Sequence, residues 1–478
     1  MAKLFVFGIG GTGARVLRSF AMLMAAGVDV NCDKVVPILI DPDTQNADLN
    51  RTVEALKSYR RLHTAAGDKS GFFKKDISKL ADIEESGEGK IKDTFTFDFG
   101  GINQSFKEFI HFNEMDPDTQ SLMQLLYTQD NLQSPLTIGF KGSPNVGSVV
   151  LNKLLDSPEI RYFADNFRKG DRIFIISSIF GGTGAAGFPL LLKNLKNPDS
   201  GLQNAGDISS AIIGAITVQP YFGLQSDNES AIDSNTFVTK TRDALAYYKN
   251  NLQGLDTLYY IADNPDTPYE NRPGGASQKN NAHLVELLSA LAIIDFMEYP
   301  EADFAGPTLY HEYGLKEDAR EITFDHLYEE TKQRIGKQLV QFKYFAKYYK
   351  DFIHQDKGKN YYKALGLDNA FANDNFHKEL RQFLENKQWG FYAWLHELSR
   401  NSRRFMPFDL NTSNLNLLVK DKAVSHSWLK KGITHDGFVV RLNKEEKSLS
   451  AEADQRRKFL QMFYKVTDDY FNEKVPAL

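Results

Sequence analysis

Residues 172–187 read Arg172-Ile173-Phe174-Ile175-Ile176-Ser177-Ser178-Ile179-Phe180-Gly181-Gly182-Thr183-Gly184-Ala185-Ala186-Gly187, an apolar strand that runs into a glycine-rich turn and then into a helical pattern over Phe188 to Leu195. In such a turn backbone N–H groups crowd at a helix N-terminus, where unpaired donors and the helix dipole favour an anion, and Thr183 adds a hydroxyl. The lettering is neither the Walker sequence, which ends in Gly-Lys-Ser/Thr, nor the dinucleotide spacing. A strand-Gly-Gly-helix junction also arises where a helix packs tightly on a sheet, so this loop alone leaves a structural and a phosphate-binding reading open.

A second junction opens the chain. Lys3 to Phe7 is an apolar strand, Gly8-Ile9-Gly10-Gly11-Thr12-Gly13 is the turn, and Ala14 to Ala26 carries Val16, Leu17, Phe20 and Met24 at helical spacing. Two phosphate-type turns predict a nucleotide-binding, doubly wound parallel sheet with its ligand over the carboxyl ends of the strands. The next strand, Val35 to Ile40, ends in Asp41-Pro42-Asp43-Thr44-Gln45, and Ile138 to Gly147 holds a further turn in which Pro144 and Val146-Gly147 open a helix.

In lettering and in order along the chain, these four loops resemble those of the tubulin/FtsZ superfamily. Gly181 to Gly187 is similar to the signature Gly-Gly-Gly-Thr-Gly-Ser-Gly, with Phe180 in place of the first glycine and one alanine extra. Gly8 to Gly13 is similar to Gly-Val-Gly-Gly-x-Gly-Gly-Asn, and Asp41 to Gln45 to Asn-Thr-Asp-Ala-Gln. Gly139 to Gly147 resembles the Gly-x-Gly-Gly-Asn-Pro-Glu-Val-Gly loop over the terminal phosphate. The resemblance implies an α/β fold: a tubulin/FtsZ-like Rossmann-type parallel sheet flanked by helices, here followed by a helix-rich C-terminal region. It also implies GTP or GDP with Mg²⁺.

On this resemblance Gly10, Gly11 and Thr12, with Gly181, Gly182, Thr183 and Gly184, face the α- and β-phosphates, and Gly8, Gly13 and Ala185 belong to the same nucleotide-binding loops. Asp41, Asp43, Gly142 and Ser143 lie near the third phosphate, with Asp43 as the metal-linked acid. Asp256 to Asn264 is similar to the family strand whose terminal asparagine touches guanine, a role that falls to Asp263 or Asn264. The apolar helix running to Met297 resembles the central helix, with Asn280 and Asn281 at its base-contacting start. Arg15 stands where FtsZ has an asparagine near guanine, so the base stays open. Ala211 to Tyr221 resembles the strand before the ribose contacts, but the Phe-Glu-Gly-x-x-Arg that should follow is missing. Hydrolysis in the family uses carboxylates from the next subunit; the corresponding region offers Glu298, Glu301 and Asp303, with Gly306 replacing the second acid of Asp-Phe-Ala-Asp. Solvated acids on a turn are the plain alternative.

A chain of 478 residues, 42% hydrophobic and 25% charged, can bury more than one core. The nucleotide-type pattern spans about residues 1–297, with an insertion at about 46–135 that includes the acidic stretch Glu84 to Gly89. Residues 298–478 read as aromatic, charged helices: one long amphipathic helix from Phe324 to about His354, others over Phe376 to Leu395 and Phe459 to Phe471, and one short strand, Gly437 to Leu442. The stripe Phe342, Phe345, Tyr349 reads as core. The cluster Arg400, Arg403, Arg404 reads as a solvated helix end or a contact for an acidic partner.

The formal net charge of −5 argues against a general nucleic-acid binder. No run approaches a membrane helix, the apolar start is too short for a signal peptide, and the single Cys32 excludes an internal disulfide and a cysteine zinc cluster. A cytoplasmic location is expected. The expected partners are further copies of the chain, in a cytoskeletal filament or closed oligomer, with the C-terminal helices as the surface for another protein. The function expected is a GTPase whose self-assembly is coupled to nucleotide hydrolysis. The alternatives are a non-hydrolysing nucleotide-dependent scaffold and a ThiF-like adenylyltransferase, whose Gly-x-Gly-Gly-x-Gly, Asp-x-Asp and Asn-Leu-x-Arg pattern also resembles the N-terminus but whose paired Cys-x-x-Cys motifs are missing.

Overall fold

A computed structural model of the chain describes residues 2–83, 91–140, 142–224, 234–264, 268–269, 274–316, 318–422, 424, 432–449 and 451–475. The acidic stretch Glu84 to Gly89 lies outside them.

Seven strands form one sheet: β1 (Lys3–Ile9), β2 (Lys34–Ile40), β3 (Asp76–Ile77), β4 (Arg172–Ser178), β5 (Ile213–Val218), β6 (Thr257–Ile261) and β7 (Leu309–Glu312). Their order is β3-β2-β1-β4-β5-β6-β7, and every pairing is parallel. The fold is therefore α/β, as expected. All seven residues of β1 are buried, which is why the central strand reads as an unbroken apolar run rather than as an alternation. Chain order reverses direction between β1 and β4, so the crevice at their carboxyl ends is the topological switch point where open α/β sheets bind ligands.

The helices that flank the sheet are α1 (Gly10–Ala25), α2 (Ala47–Ala66), α3 (Pro144–Leu151), α4 (Pro158–Asn166), α5 (Gly182–Leu195), α6 (Ser234–Asn251) and α7 (Leu284–Glu298). Pleating sorts their contacts. Phe5 and Phe7 point to one face, where Phe163 of α4 meets both rings edge-on at 4.9 and 5.3 Å. Ile9 continues that row and abuts Gly187 of α5. On the opposite face Phe174, the register partner of Val6, packs against Phe296 of α7, which lies with α1 and α2.

The C-terminal region is helical: α8 (Glu329–Asp351), α9 (Asn375–Glu385), α10 (Phe391–Leu398), α11 (His435–Ser448) and α12 (Gln455–Lys474). It forms a second helical layer over α1 and α2. Phe72 and Phe73, just beyond α2, insert among Phe342 and Phe345 of α8, Phe383 of α9 and Tyr464 of α12. This covering layer leaves only Gly11 of α1 outside the buried set, and Phe342, Phe345 and Tyr349 are core. Residues Gly437 to Leu442 are helical rather than a strand. Thr434 caps α11, Phe438 and Leu442 bury one helical face, and a Cβ at Gly437 would lie 2.6 Å from the Tyr470 hydroxyl, so α11 and α12 approach closely there. None of the helices among the described residues is long and apolar enough to cross a membrane.

One cation sits inside this layer. Lys343 of α8 is fully buried, its Nζ lies 4.2 Å from the Tyr392 ring centroid, and it has no hydrogen-bond partner among the described residues. Burial, helped by Lys347 and Lys350, pulls its pKa down to about 7. An unfolded lysine titrates near ~10.4, so the folded state holds fewer protons between those values and stability rises with pH across that window. Lys343→Met is expected to gain about 1–3 kcal/mol below pH 7 and progressively less toward pH 10, read from urea unfolding at several pH values. A pH-independent gain would show that the charge is not the cost.

Candidate functional site

Three helices begin at the switch point, and none has a cap. α1 starts at Gly10 directly after Ile9, α5 at Gly182 after Gly181, and α3 at Pro144 after Ser143; none of the three N-cap side chains accepts a backbone hydrogen bond, and no first turn holds an acid. By contrast α2, α4 and α12 are capped by Asn46, Ser157 and Asp454. An uncapped first turn leaves backbone donors without intrahelical acceptors and carries the positive end of the dipole.

The three ends meet. A Cβ at Gly10, whose φ of +72° favours glycine, would lie 3.5 Å from Thr183 Cβ and 3.7 Å from the Gly184 nitrogen. A Cβ at Gly182 would lie 3.0 Å from the Gly142 nitrogen and 3.2 Å from that of Ser143. The starts of α1 and α5 present unfilled donors; at α3, the Ser143 N–H donates to the Phe140 carbonyl at 2.7 Å and that of Val146 to the Asn145 side chain at 3.0 Å, so Gly142 supplies the N–H on that side. Together they form a cradle for an anion with several oxygens, such as a polyphosphate.

Not every glycine serves that cradle. A Cβ at Gly13 would come within 2.6 Å of the Gly8 carbonyl carbon, and one at Gly184 within 2.7 Å of the Ser178 oxygen, so these two let α1 and α5 pack on the strands that precede them. Gly8 is likewise crowded by Leu17 at 2.7 Å. Gly10, Gly11, Gly181, Gly182 and Thr183, with Gly142 and Ser143, line the shared ends; Ala185 follows one turn into α5.

The acids after β2 are held by the backbone. The Asp43 carboxylate accepts N–H bonds from Gln45 (3.1 Å) and Gly275 (2.6 Å), and Asp41 accepts from the Asp43 N–H and the Asn46 side chain. Burial pushes the Asp41 carboxyl up to about 7. No group of three or more His, Cys, Asp or Glu among the described residues is arranged to hold a metal. One cation at the site escaped the sequence reading: Lys240 of α6 donates to the Gly142 carbonyl at 2.6 Å. It sits on a polar helix without a motif, so no local signal marked it.

Arg15 is built into the wall behind the cradle. It is 4% exposed, and its guanidinium donates to Glu286, to Asp48 (2.6 Å), to the Tyr221 hydroxyl (2.8 Å) and to Thr12 (3.4 Å). Asp48 also accepts from Arg51, which with Arg18 grips Glu397 of α10 at 2.8 Å each. A buried polar chain therefore runs from the first glycine loop to the C-terminal layer. Asn280 is taken up by Asp48 and Asn281 is exposed, while His283 caps α7 and packs at a tilt against Tyr221, ring centroids 5.0 Å apart.

The remaining sequence candidates lie apart. Asn264 lines a separate cleft with Arg400, Arg403 and Arg404. Glu298 is the last residue of α7 and Glu301 and Asp303 follow it, about 18 Å or more along the axis from Glu286, which touches Arg15. Glu298 is held by Arg334, whereas Glu301 and Asp303 are exposed on a short turn.

No protein-family model and no curated protein matches the chain. Among solved structures it is similar to CetZ from Methanosaeta thermophila strain DSM 6194, at 16% identity over 55% of this chain and 46% of that one, with a TM-score of 0.27. It is also similar to CetZ2 from Haloferax volcanii, a GTPγS-bound protofilament, at 15% identity over 55% of this chain and 49% of that one, with a TM-score of 0.27. The chain spans about half the length of each structure it matches. Superposition at this level transfers no residue roles.

Proposed function

We propose that the chain is a tubulin/FtsZ-like nucleotide-binding protein that holds a nucleoside triphosphate, most simply GTP, where α1, α3 and α5 meet, and that it couples hydrolysis to self-assembly. The observation that carries this reading is the convergence of three uncapped, acid-free helix starts at the switch point. The donor set fits a polyphosphate, and Lys240 adds a positive charge beside Gly142. A metal-only site does not fit Asp43: each of its oxygens already accepts one backbone N–H, and no group of three or more ligating side chains surrounds it among the described residues. Mg²⁺ accompanying the nucleotide would rest on phosphate oxygens and water, with Asp43 reached through water, and would offset phosphate charge.

Orienting an attacking water needs a carboxylate within hydrogen-bond reach of it. Within one chain, the end of α7 is too distant. Glu301 and Asp303, exposed and beyond that end, are the acids available to a neighbouring copy's site, and Glu298 would first have to leave Arg334. Light scattering and phosphate release with GTP, ATP and a non-hydrolysable GTP analogue test the reading. Nucleotide-dependent polymer with turnover is expected, and Glu301→Gln/Asp303→Asn is expected to lower turnover at least ~10-fold with nucleotide affinity kept. No affinity for any nucleotide would sink the proposal.

The buried chain from Thr12 through Arg15, Asp48 and Arg51 to Glu397 favours one second reading: a nucleotide-dependent switch that reports to the C-terminal helices without hydrolysis. Binding without polymer or turnover is its expected result.

A further inference from the structure

We propose that the cleft between the end of β6 and the turn Ser399–Arg404 is a second anion site, independent of the glycine loops, that takes a phosphorylated small molecule of about nucleotide size. The cleft has a volume of about 890 Å³ and is lined by Asn264, Arg320, Arg400, Ser402, Arg403 and Arg404 among others. That volume lies in the upper range for small-molecule sites.

The four arginines are not equivalent. Arg403 is fixed: its Nε donates to both oxygens of Asp263 at 2.8 and 2.7 Å, and its Nη1 to Asp318 at 3.0 Å and to the Ala319 carbonyl at 2.7 Å. Its Nη2 donates to no described residue. Arg320, Arg400 and Arg404 are exposed and make no side-chain hydrogen bond or ion pair among the described residues. Arg320 and Arg404 are held side by side, because the Arg404 N–H donates to the Arg320 carbonyl at 2.7 Å where residues 321–322 and 404–405 pair. Both carboxylates of the lining, Asp263 and Asp318, are spent on Arg403.

Three guanidiniums without a hydrogen bond or ion pair among the described residues therefore line one concavity in a chain of formal charge −5; the carboxylate nearest Arg404, that of its register partner Glu321, is bonded to Lys420. Their mutual repulsion is relieved by an acceptor-rich ligand, and the planar guanidinium fork matches phosphate oxygens two at a time. None of the glycine-loop residues lines the cleft. Buried Arg15, Tyr221 and His283 stand between: Tyr221 touches Arg15 on one side and the His283 ring on the other, and the Arg403 charge is felt at His283.

Calorimetric titration of the full chain with a sugar bisphosphate tests this, with Arg400→Ser/Arg404→Ser and Gly182→Val as the two variants. Wild type is expected to bind with an affinity that falls as salt rises. The double arginine variant is expected to bind at least ~10-fold more weakly, equivalent to about 1.4 kcal/mol, and Gly182→Val to bind like wild type. Both arginines are exposed, and circular dichroism would verify that the variant is folded. Equal binding by wild type and the arginine variant, loss in Gly182→Val instead, or no binding by wild type at millimolar bisphosphate would each overturn the proposal. Tighter binding of a glutamate-rich peptide than of the bisphosphate would overturn the ligand class. Nucleotide affinity lost in Gly182→Val but kept in the arginine variant separates this site from the glycine-loop site.

Discussion

Replacing Arg15 by methionine is expected to cost about 3–5 kcal/mol of stability, because it leaves buried carboxylates without their cation. Glu286 is 0% exposed and Asp48 1%. Burial alone would raise the Asp48 pKa, but Arg15 and Arg51 outweigh it and hold the carboxyl below its ordinary range. In Arg15→Met, Asp48 keeps Arg51 and Asn280, whereas Glu286 keeps only the Tyr221 hydroxyl and the His283 N–H. The uncompensated charge then falls mainly on Glu286, so adding Glu286→Gln is expected to recover a large part of the loss. Urea unfolding of the two single variants and the double variant closes the cycle. Strict additivity would show that the cost is lost packing rather than an orphaned charge. The sign with pH follows from Asp48: its folded pKa is depressed, so the stability it contributes is present above the unfolded carboxylate range and is lost as pH falls through the folded value. Arg15→Met should therefore lose least, relative to wild type, in acid.

The parts of this fold that were legible in the sequence are those in which local pattern and tertiary role coincide. β1 and β4 are central parallel strands, so their buried runs are continuous; β1 passes straight into Gly10, which opens α1, and β4 is followed within four residues by Gly182, which opens α5. The residues that decide the wall of the site are different. Arg15 finds Tyr221 and Glu286, 206 and 271 positions away, and no local spacing announces such partners. The edge strand β7 left no trace, because its residues are only half-buried or exposed and Tyr310 is 67% exposed. Gly437 to Leu442 read as a strand because Phe-Val-Val favours β structure, yet the cap at Thr434 and the contact with α12 impose a helix. Asn264 was placed with the nucleotide base by resemblance alone, and its cleft shares no lining with the glycine loops.

Gly182→Val is expected to lower triphosphate affinity at least ~100-fold, about 2.7 kcal/mol, while the chain still folds. The reason is position. The Cβ direction of Gly182 points at the Gly142 and Ser143 nitrogens, 3.0 and 3.2 Å away, and at Phe140 Cβ at 3.1 Å. A valine there displaces the turn that brings the start of α3 against the start of α5, and the Gly142 N–H leaves the cradle. The glycines that only permit packing behave differently. At Gly13 or Gly184 a side chain meets backbone within 2.6 or 2.7 Å, so substitution there costs stability first, and binding falls only because the fold does. Thr183→Val is the milder companion: it removes a hydroxyl with little change in volume and is expected to weaken binding about 5- to 10-fold, the worth of one hydrogen bond. Fluorescent-nucleotide titration alongside thermal unfolding distinguishes the cases. If Gly182→Val melts far below wild type yet binds normally when folded, the loop is a packing device and the phosphate lies elsewhere. If it folds and does not bind, the meeting point of the three helix starts is the triphosphate site.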